Sequence, residues 1–181
     1  MQACEQAPGL NMLQHGQLVR QHYLALINQL KAGMYDCKEL QELWNMKLEL
    51  VDDSAAERYQ VYHDCFKHGV LMHDDAGRRH FPNHALASSQ QYALLFPGDT
   101  QVTELIRRDM DLHVSRGDDL PRASEDGLLF TLLLTAFAEI NANAEMFGGR
   151  SSDSYKIKHK RLKKIAKKIL STLNEGDQHD S

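Results

Sequence analysis

Ten histidines and 25 carboxylates in 181 residues put metal binding or proton transfer at the head of the chemistry this chain could do. Histidine both titrates near neutral pH and binds divalent ions. The adjacent pair His63-Asp64 means little alone. His15, His84, Asp109, His113 and Glu139, however, fall on or beside helical stripes that otherwise carry apolar residues. Burying several polar groups without partners is costly, and a shared metal is one partner that serves them all. Cys4, Cys37 and Cys65 are spaced too widely and irregularly for a disulfide framework or a paired-cysteine metal knuckle, and read as reduced side chains. His22, His68, His73, His159 and His179 read as surface or helix-cap residues.

The elements that must position these groups are helical. His15, Val19, Tyr23, Leu26 and Leu30 recur along one face of residues 12 to 32, and Gly33 is a natural stop. A weaker helical stretch runs from Cys37 to Leu48 with Leu40, Leu43 and Trp44 inward. Ser54 followed by Glu57 reads as a capping box, opening a helix with Ala55, Tyr59, Tyr62 and Phe66 and carrying His63 and Asp64 near its end. Residues 68 to 82 read as a loop, and a helix follows from Asn83 to Leu95, before Pro97-Gly98. Asp99 or Thr100 caps the next, with Val102, Ile106, Asp109 and His113 on one face, and a loop runs from Arg116 to Arg122.

Ser124 is placed to cap the longest core helix, Glu125 to Phe147, whose stripe is Leu128, Leu132, Thr135, Glu139, Ala142 and Met146; Gly148 and Gly149 end it. The last helix, Tyr155 to Leu173, turns Leu162, Ile165, Ile169 and Leu173 inward and projects Lys and Arg outward. No repeat, low-complexity tract or convincing strand emerges. The expectation is an all-α domain of six or seven helices over residues 12–173, with a flexible N-terminus at 1–11 and a flexible tail at 174–181.

Charge is unevenly placed. Residues 1–153 hold 13 Lys and Arg against 22 Asp and Glu, residues 154–170 hold eight basic residues and no acid, and three acids follow. The acidic body argues against broad coating of duplex DNA, while the basic helix is suited to guiding an anionic substrate or lying on RNA. Plain packing, and contact with a protein or a membrane, stay open for that helix. The longest apolar run, Leu128 to Ala138, is interrupted by two Thr and too short to span a bilayer. A soluble cytoplasmic protein without a membrane partner is expected.

The ordered set of residues resembles the HD-domain metal-dependent phosphohydrolases. It comprises an early His on the first helix (His15), His63-Asp64 with Lys67 three residues on, and a late acid in an Ala-rich helix, Ala138-Glu139. The stretch from His63 through Asp75, Gly77, Arg78, His80-Phe81 and His84, then Val102, Leu105-Ile106, Asp109-Met110 and His113, is most similar to the HD domains of CCA-adding enzymes and RNA-end-healing proteins. Phe147-Gly148-Gly149 and Tyr155 to Arg161 look like stand-alone phage proteins of the same superfamily. The likeness covers about residues 12 to 170 and implies an HD-domain helical bundle.

It also implies one or two divalent ions, Mn, Fe, Mg, Co or Ni. His15, His63, Asp64 and Glu139 would hold the first; Asp64, His84 and Asp109 would hold the second, with His113 as an alternative ligand. Glu139 stands where Asp is usual and Asp109 where the two-metal branch has His, both still hard ligands. The implied chemistry is metal-assisted hydrolysis of a nucleotide or RNA-terminal phosphate, 2',3'-cyclic or 2'-phosphate ends being favoured. Asp64 and Lys67 are the expected catalytic centre, and His80 or His113 could protonate the leaving oxygen. Lys67, Arg78 and Arg79 are expected to hold phosphate, and Lys163, Lys164, Lys167 and Lys168 to contact single-stranded RNA. Deoxynucleotide phosphatase, nucleoside triphosphohydrolase and cyclic-dinucleotide phosphodiesterase activities are alternatives within the same class. A noncatalytic metal-stabilised binding module is the alternative outside it.

Overall fold

The computed structural model describes residues 1, 5–7, 9–114 and 127–176. Cys4, the loop at 116–122, the Ser124 cap and His179 lie outside the described residues. The protein is all-α. Its helices are α1 (Met12–Lys31), α2 (Lys38–Asn45), α3 (Asp53–Tyr62), α4 (His84–Leu95), α5 (Thr100–Arg107), the single turn α6 (Asp111–Val114), α7 (Leu129–Met146) and α8 (Asp153–Gly176). Among the described residues, no helix is long and apolar enough to cross a membrane.

Two compact units share the chain. The first contains residues 1–20 and 52–110, the second residues 21–51 and 111–181, so α1 contributes its first half to one and its second half to the other. α1 opens on a reciprocal cap: the Gln14 amide donates to Asn11 Oδ1 and the Asn11 amide to Gln14 Oε1, each at 2.9 Å. Gly33, with φ of +69°, ends it, and the Met34 amide closes back on the Gln29 carbonyl at 2.9 Å.

In the first unit α5 lies against both α3 and α4, and α4 also packs on a short 3-10 turn at Lys67–Val70. Its core contains Ala55, Tyr59, Tyr92, Val102, Leu105 and Ile106, all essentially inaccessible. α3 is capped by Asp52, whose carboxylate accepts from the Ala55 amide at 3.0 Å. Ser54 is not the cap expected for it, because its hydroxyl accepts from Arg58 instead. Two strands the sequence did not signal, β3 (Met72–His73) and β4 (Arg79–His80), form an antiparallel hairpin, and β1 (Glu5–Ala7) pairs with β2 (Leu10–Asn11). Ladders of two or three residues carry too little alternation to be read as strands. The helix expected to run from residue 100 through His113 breaks after Arg107, which puts His113 on α6.

In the second unit α8 packs on α2, α6 and α7. Nearly the whole circumference of α7 is buried, from Leu129 to Ala144, as its all-round apolar sequence requires. Leu40 and Leu43 of α2 and Leu162, Ile165, Ala166 and Ile169 of α8 complete this core. The Val51 amide is satisfied by the Thr131 hydroxyl at 3.2 Å.

Candidate metal centre

The first unit gathers His15, His63, Asp64, Lys67 and His84. Gly16 governs how closely α1 approaches α3. A Cβ at Gly16 would lie 2.4 Å from the Val61 carbonyl oxygen and 2.8 Å from its Cα, so only glycine permits this contact of two backbones. The approach sets the ring of His15 edge-on to that of His63, with centroids 5.3 Å apart. One turn later Arg20 fastens α1 to α3, donating to Gln60 Oε1 at 3.2 Å and pairing with Asp53 at 2.6 Å. His63 and Asp64 follow immediately after the last residue of α3, where the chain turns toward Lys67.

The carboxylate of Asp64 is the charge at the centre. Lys67 Nζ lies 2.7 Å from its Oδ2, His63 Nε2 lies 3.6 Å from the same oxygen, and His84 Nε2 lies 3.5 Å from Oδ1. Burial works against ionisation of Asp64, but the charges of His63, Lys67, His84 and His15 outweigh it and pull the carboxyl down to about 2. Lys67 also lies over the Phe81 ring, 5.2 Å from its centroid.

Backbone carbonyls orient both outer histidines. His63 Nδ1 is 2.8 Å from the Gln60 carbonyl and His84 Nδ1 is 3.0 Å from the Phe81 carbonyl. A carbonyl only accepts, so Nδ1 carries a proton in each ring, and each Nε2 faces Asp64. At 3.5 and 3.6 Å these nitrogens stand beyond ordinary hydrogen-bond length from the carboxylate, a spacing that suits donors sharing an ion. Donors held about 2.1 Å from a shared ion lie about 3.0 to 3.4 Å from one another, close to what is seen here. Asp64 Oδ1, buried and accepting no hydrogen bond, is the further sign that the arrangement suits a cation. Histidine nitrogens and a carboxylate held by backbone partners form a donor set that fits a divalent first-row ion.

The remaining expected residues make contacts of their own. Asp109 is buried and accepts from the Tyr59 hydroxyl at 2.6 Å. Arg78 and His80 both turn to Asp74 in the exposed β3–β4 hairpin, at 2.8 and 3.0 Å, and Arg79 donates to the Glu5 carbonyl at 3.4 Å. In the second unit His113 Nε2 pairs with Glu139 Oε2 at 2.9 Å, and Asn143 donates to Glu139 Oε1 at 3.3 Å. On α8, Lys163 is engaged by Glu39 of α2 at 3.4 Å, Lys164 and Lys167 are exposed, and Lys168 is half-buried.

Sequence reasoning passed over Gly16, Arg20 and Gln60, which hold the two helices in register. The isolated glycine inside a helical stretch was the available signal. No protein-family model matches the chain, and neither does any curated protein or solved structure.

Proposed function

We propose that the chain is a metal-dependent phosphohydrolase acting on nucleotide or RNA-terminal phosphates, with 2',3'-cyclic and 2'-phosphate ends as the favoured substrates. The observation that carries this reading is the buried Asp64 carboxylate, faced by the Nε2 atoms of His63 and His84 and left with an oxygen that accepts no hydrogen bond. The resemblance to HD-domain phosphohydrolases supports it from the sequence side. His15, His63 and Asp64 would hold the first ion, with Glu139 as the late acidic ligand that the resemblance implies. His84 and Asp109 would join Asp64 around a second. Bound there, such ions acidify a water and offset charge on phosphoryl oxygens.

The chain's own groups divide the remaining work. Lys67, held beside Asp64 and over Phe81, is the cation that receives a nonbridging phosphate oxygen. Arg78 in the hairpin adds a planar fork for a second oxygen. His80, oriented by Asp74 at 3.0 Å, is the group suited to giving a proton to the leaving oxygen. The compact pairing of Asp74 with both residues keeps their heads on one side of the hairpin.

Elemental analysis of the purified full chain, then phosphate release from RNA ends, nucleotides and cyclic dinucleotides with added Mn, Mg, Co or Ni, tests the reading. Turnover should need a divalent ion and should largely disappear in Asp64→Asn, with the helical circular dichroism retained. Glu139→Gln should weaken metal binding. Turnover persisting in metal-free Asp64→Asn, or no metal taken up by the wild type, would overturn it.

A further inference from the structure

α4 contains no Asp, Glu, Lys or Arg, although 25% of the chain is charged and its 12 residues would ordinarily carry about three. Its inner side, Ala85, Ser88, Ser89 and Tyr92, is buried in the first unit. The outer side centres on the exposed Gln90. Leu86 and Leu94, one turn to either side, are 47% and 77% exposed, and Ala87 and Ala93 are half-buried at the margins. At 100° per residue all four lie within about 60° of Gln90, and the row from Leu86 to Leu94 is about 12 Å long. Single surface leucines need no explanation, but two in one row on an uncharged helix face mark a place of contact.

The row reads the same in both directions. Three residues from Gln90 stands an alanine on each side, and four residues away a leucine on each side. A two-fold axis through Gln90 would lay a second α4 antiparallel on the first, with Leu86 of each copy against Leu94 of the other. The two Gln90 amides would meet at the axis, each able to donate to the other. A contact of this kind needs a patch that is complementary to itself, and this row is one. The absence of carboxylates also spares two copies, each of net charge −4, a local repulsion. The chain's own residues 115–126 do not suit the face, since they have six charged side chains and Leu120 as their one large apolar group. A bilayer would find no Lys or Arg on the helix to draw it in.

We propose that the outer face of α4 is a self-association surface, on which a second copy of this chain packs antiparallel about a two-fold axis at Gln90. Scaled from these exposures the row offers about 350 Å² per copy, against about 800 Å² in a standard interface, so it forms the apolar centre of a weak, reversible contact. The inference goes beyond the hydrolase reading. It requires no metal and stands or falls separately.

Sedimentation equilibrium of the full chain in EDTA, from about 5 to 500 µM, should show the average mass rising from 20.6 kDa toward twice that value. Leu94→Glu should hold it at the monomer value throughout, because each copy would press a carboxylate against an apolar side chain, and its circular dichroism should be unchanged. Ile157→Glu, at a comparably exposed apolar residue of α8 (65%), should associate like the wild type. The register is read by cysteine pairing under oxidised glutathione in a Cys4→Ser background, Cys37 and Cys65 being buried. Gln90→Cys should link to itself, whereas Leu86→Cys should link to Leu94→Cys when the two are mixed and not to itself. A wild type that stays monomeric, equal effects of Leu94→Glu and Ile157→Glu, or self-linking of Leu86→Cys in place of the mixed pair would overturn the proposal. So would a monomeric wild type that pellets with phosphatidylcholine vesicles while Leu94→Glu does not, which would mark the face as a lipid-binding one.

Discussion

Replacing Gly16 by alanine adds one methyl group at the tightest approach of α1 to α3. Its Cβ would stand 2.4 Å from the Val61 carbonyl oxygen, and ordinary contact begins at 3.4 Å, so the backbones must separate by about 1 Å. The obstructing atoms are main chain and cannot swing aside as a side-chain end would. Overpacking of this kind costs about 1 to 3 kcal/mol, and contact with rigid backbone argues for the upper part of that range. The higher helix propensity of alanine returns about 1 kcal/mol. The net expectation is a loss of about 1 to 2 kcal/mol, read as a lower urea midpoint with an unchanged slope. His15 precedes Gly16 and would be carried away from His63 by the same displacement. On the proposed ligand set, calorimetric titration with Mn should then show a fall in affinity larger than the fall in stability, since ligand distances tolerate only about 0.2 Å. A Gly16→Ala protein as stable as the wild type, or more stable by the propensity gain alone, would refute the close packing of α1 on α3.

Asp99 accepts from Tyr92 at 2.8 Å and from Arg58 at 2.9 Å. Burial raises its carboxyl, but these partners pull it below the ordinary value. Its folded pKa is depressed, so its contribution to stability is present above about pH 4 and is lost as pH falls through the folded value. Urea midpoints between about pH 5 and 2 should therefore drop less steeply in Asp99→Asn than in the wild type, and identical profiles would exclude this role. Thr131→Val leaves the buried Val51 amide without its acceptor, which should cost about 1 to 3 kcal/mol in denaturant unfolding. Burial pushes the Cys65 thiol up to about 11, so iodoacetamide at pH 8 should label it slowly in the native protein and rapidly in urea, as followed by peptide mass spectrometry.

Periodicity revealed most of the helices because their buried faces are long. His15, Val19, Tyr23, Leu26 and Leu30, placed on one stripe of α1, are all 3% exposed or less. Local hydrogen-bonding choices were harder to read. Asp52 and Ser54 are both good caps, and Arg58 reaching back to Ser54 leaves Asp52 in that position. The candidate site was legible as residue types but not as orientations. Nothing in the sequence shows that His63 and His84 would each give Nδ1–H to a carbonyl three residues earlier and turn Nε2 toward one carboxylate. Nor does it show that Arg78 and His80 would share Asp74. On α8 the charges were plain, but the engagement of Lys163 by Glu39 depends on the fold of the second unit, with partners more than a hundred residues apart in the chain. What the lysines of α8 do together follows from which of them remain unneutralised once the helix is docked.

That docked helix also separates average charge from adhesive behaviour. The chain carries a net charge of −4, and its isoelectric point of about 6.2 would send it past a cation exchanger at pH 8. Yet an adsorbing surface meets one face at a time, not the mean, and the exposed lysines of α8 form a local plus pole on a negatively charged particle. At low salt the protein should be held by both sulfonate and quaternary-amine resins, in opposite orientations. Loss of sulfonate retention alone, after neutralising Lys156, Lys160, Lys164 and Lys167, would identify which face touches the bead.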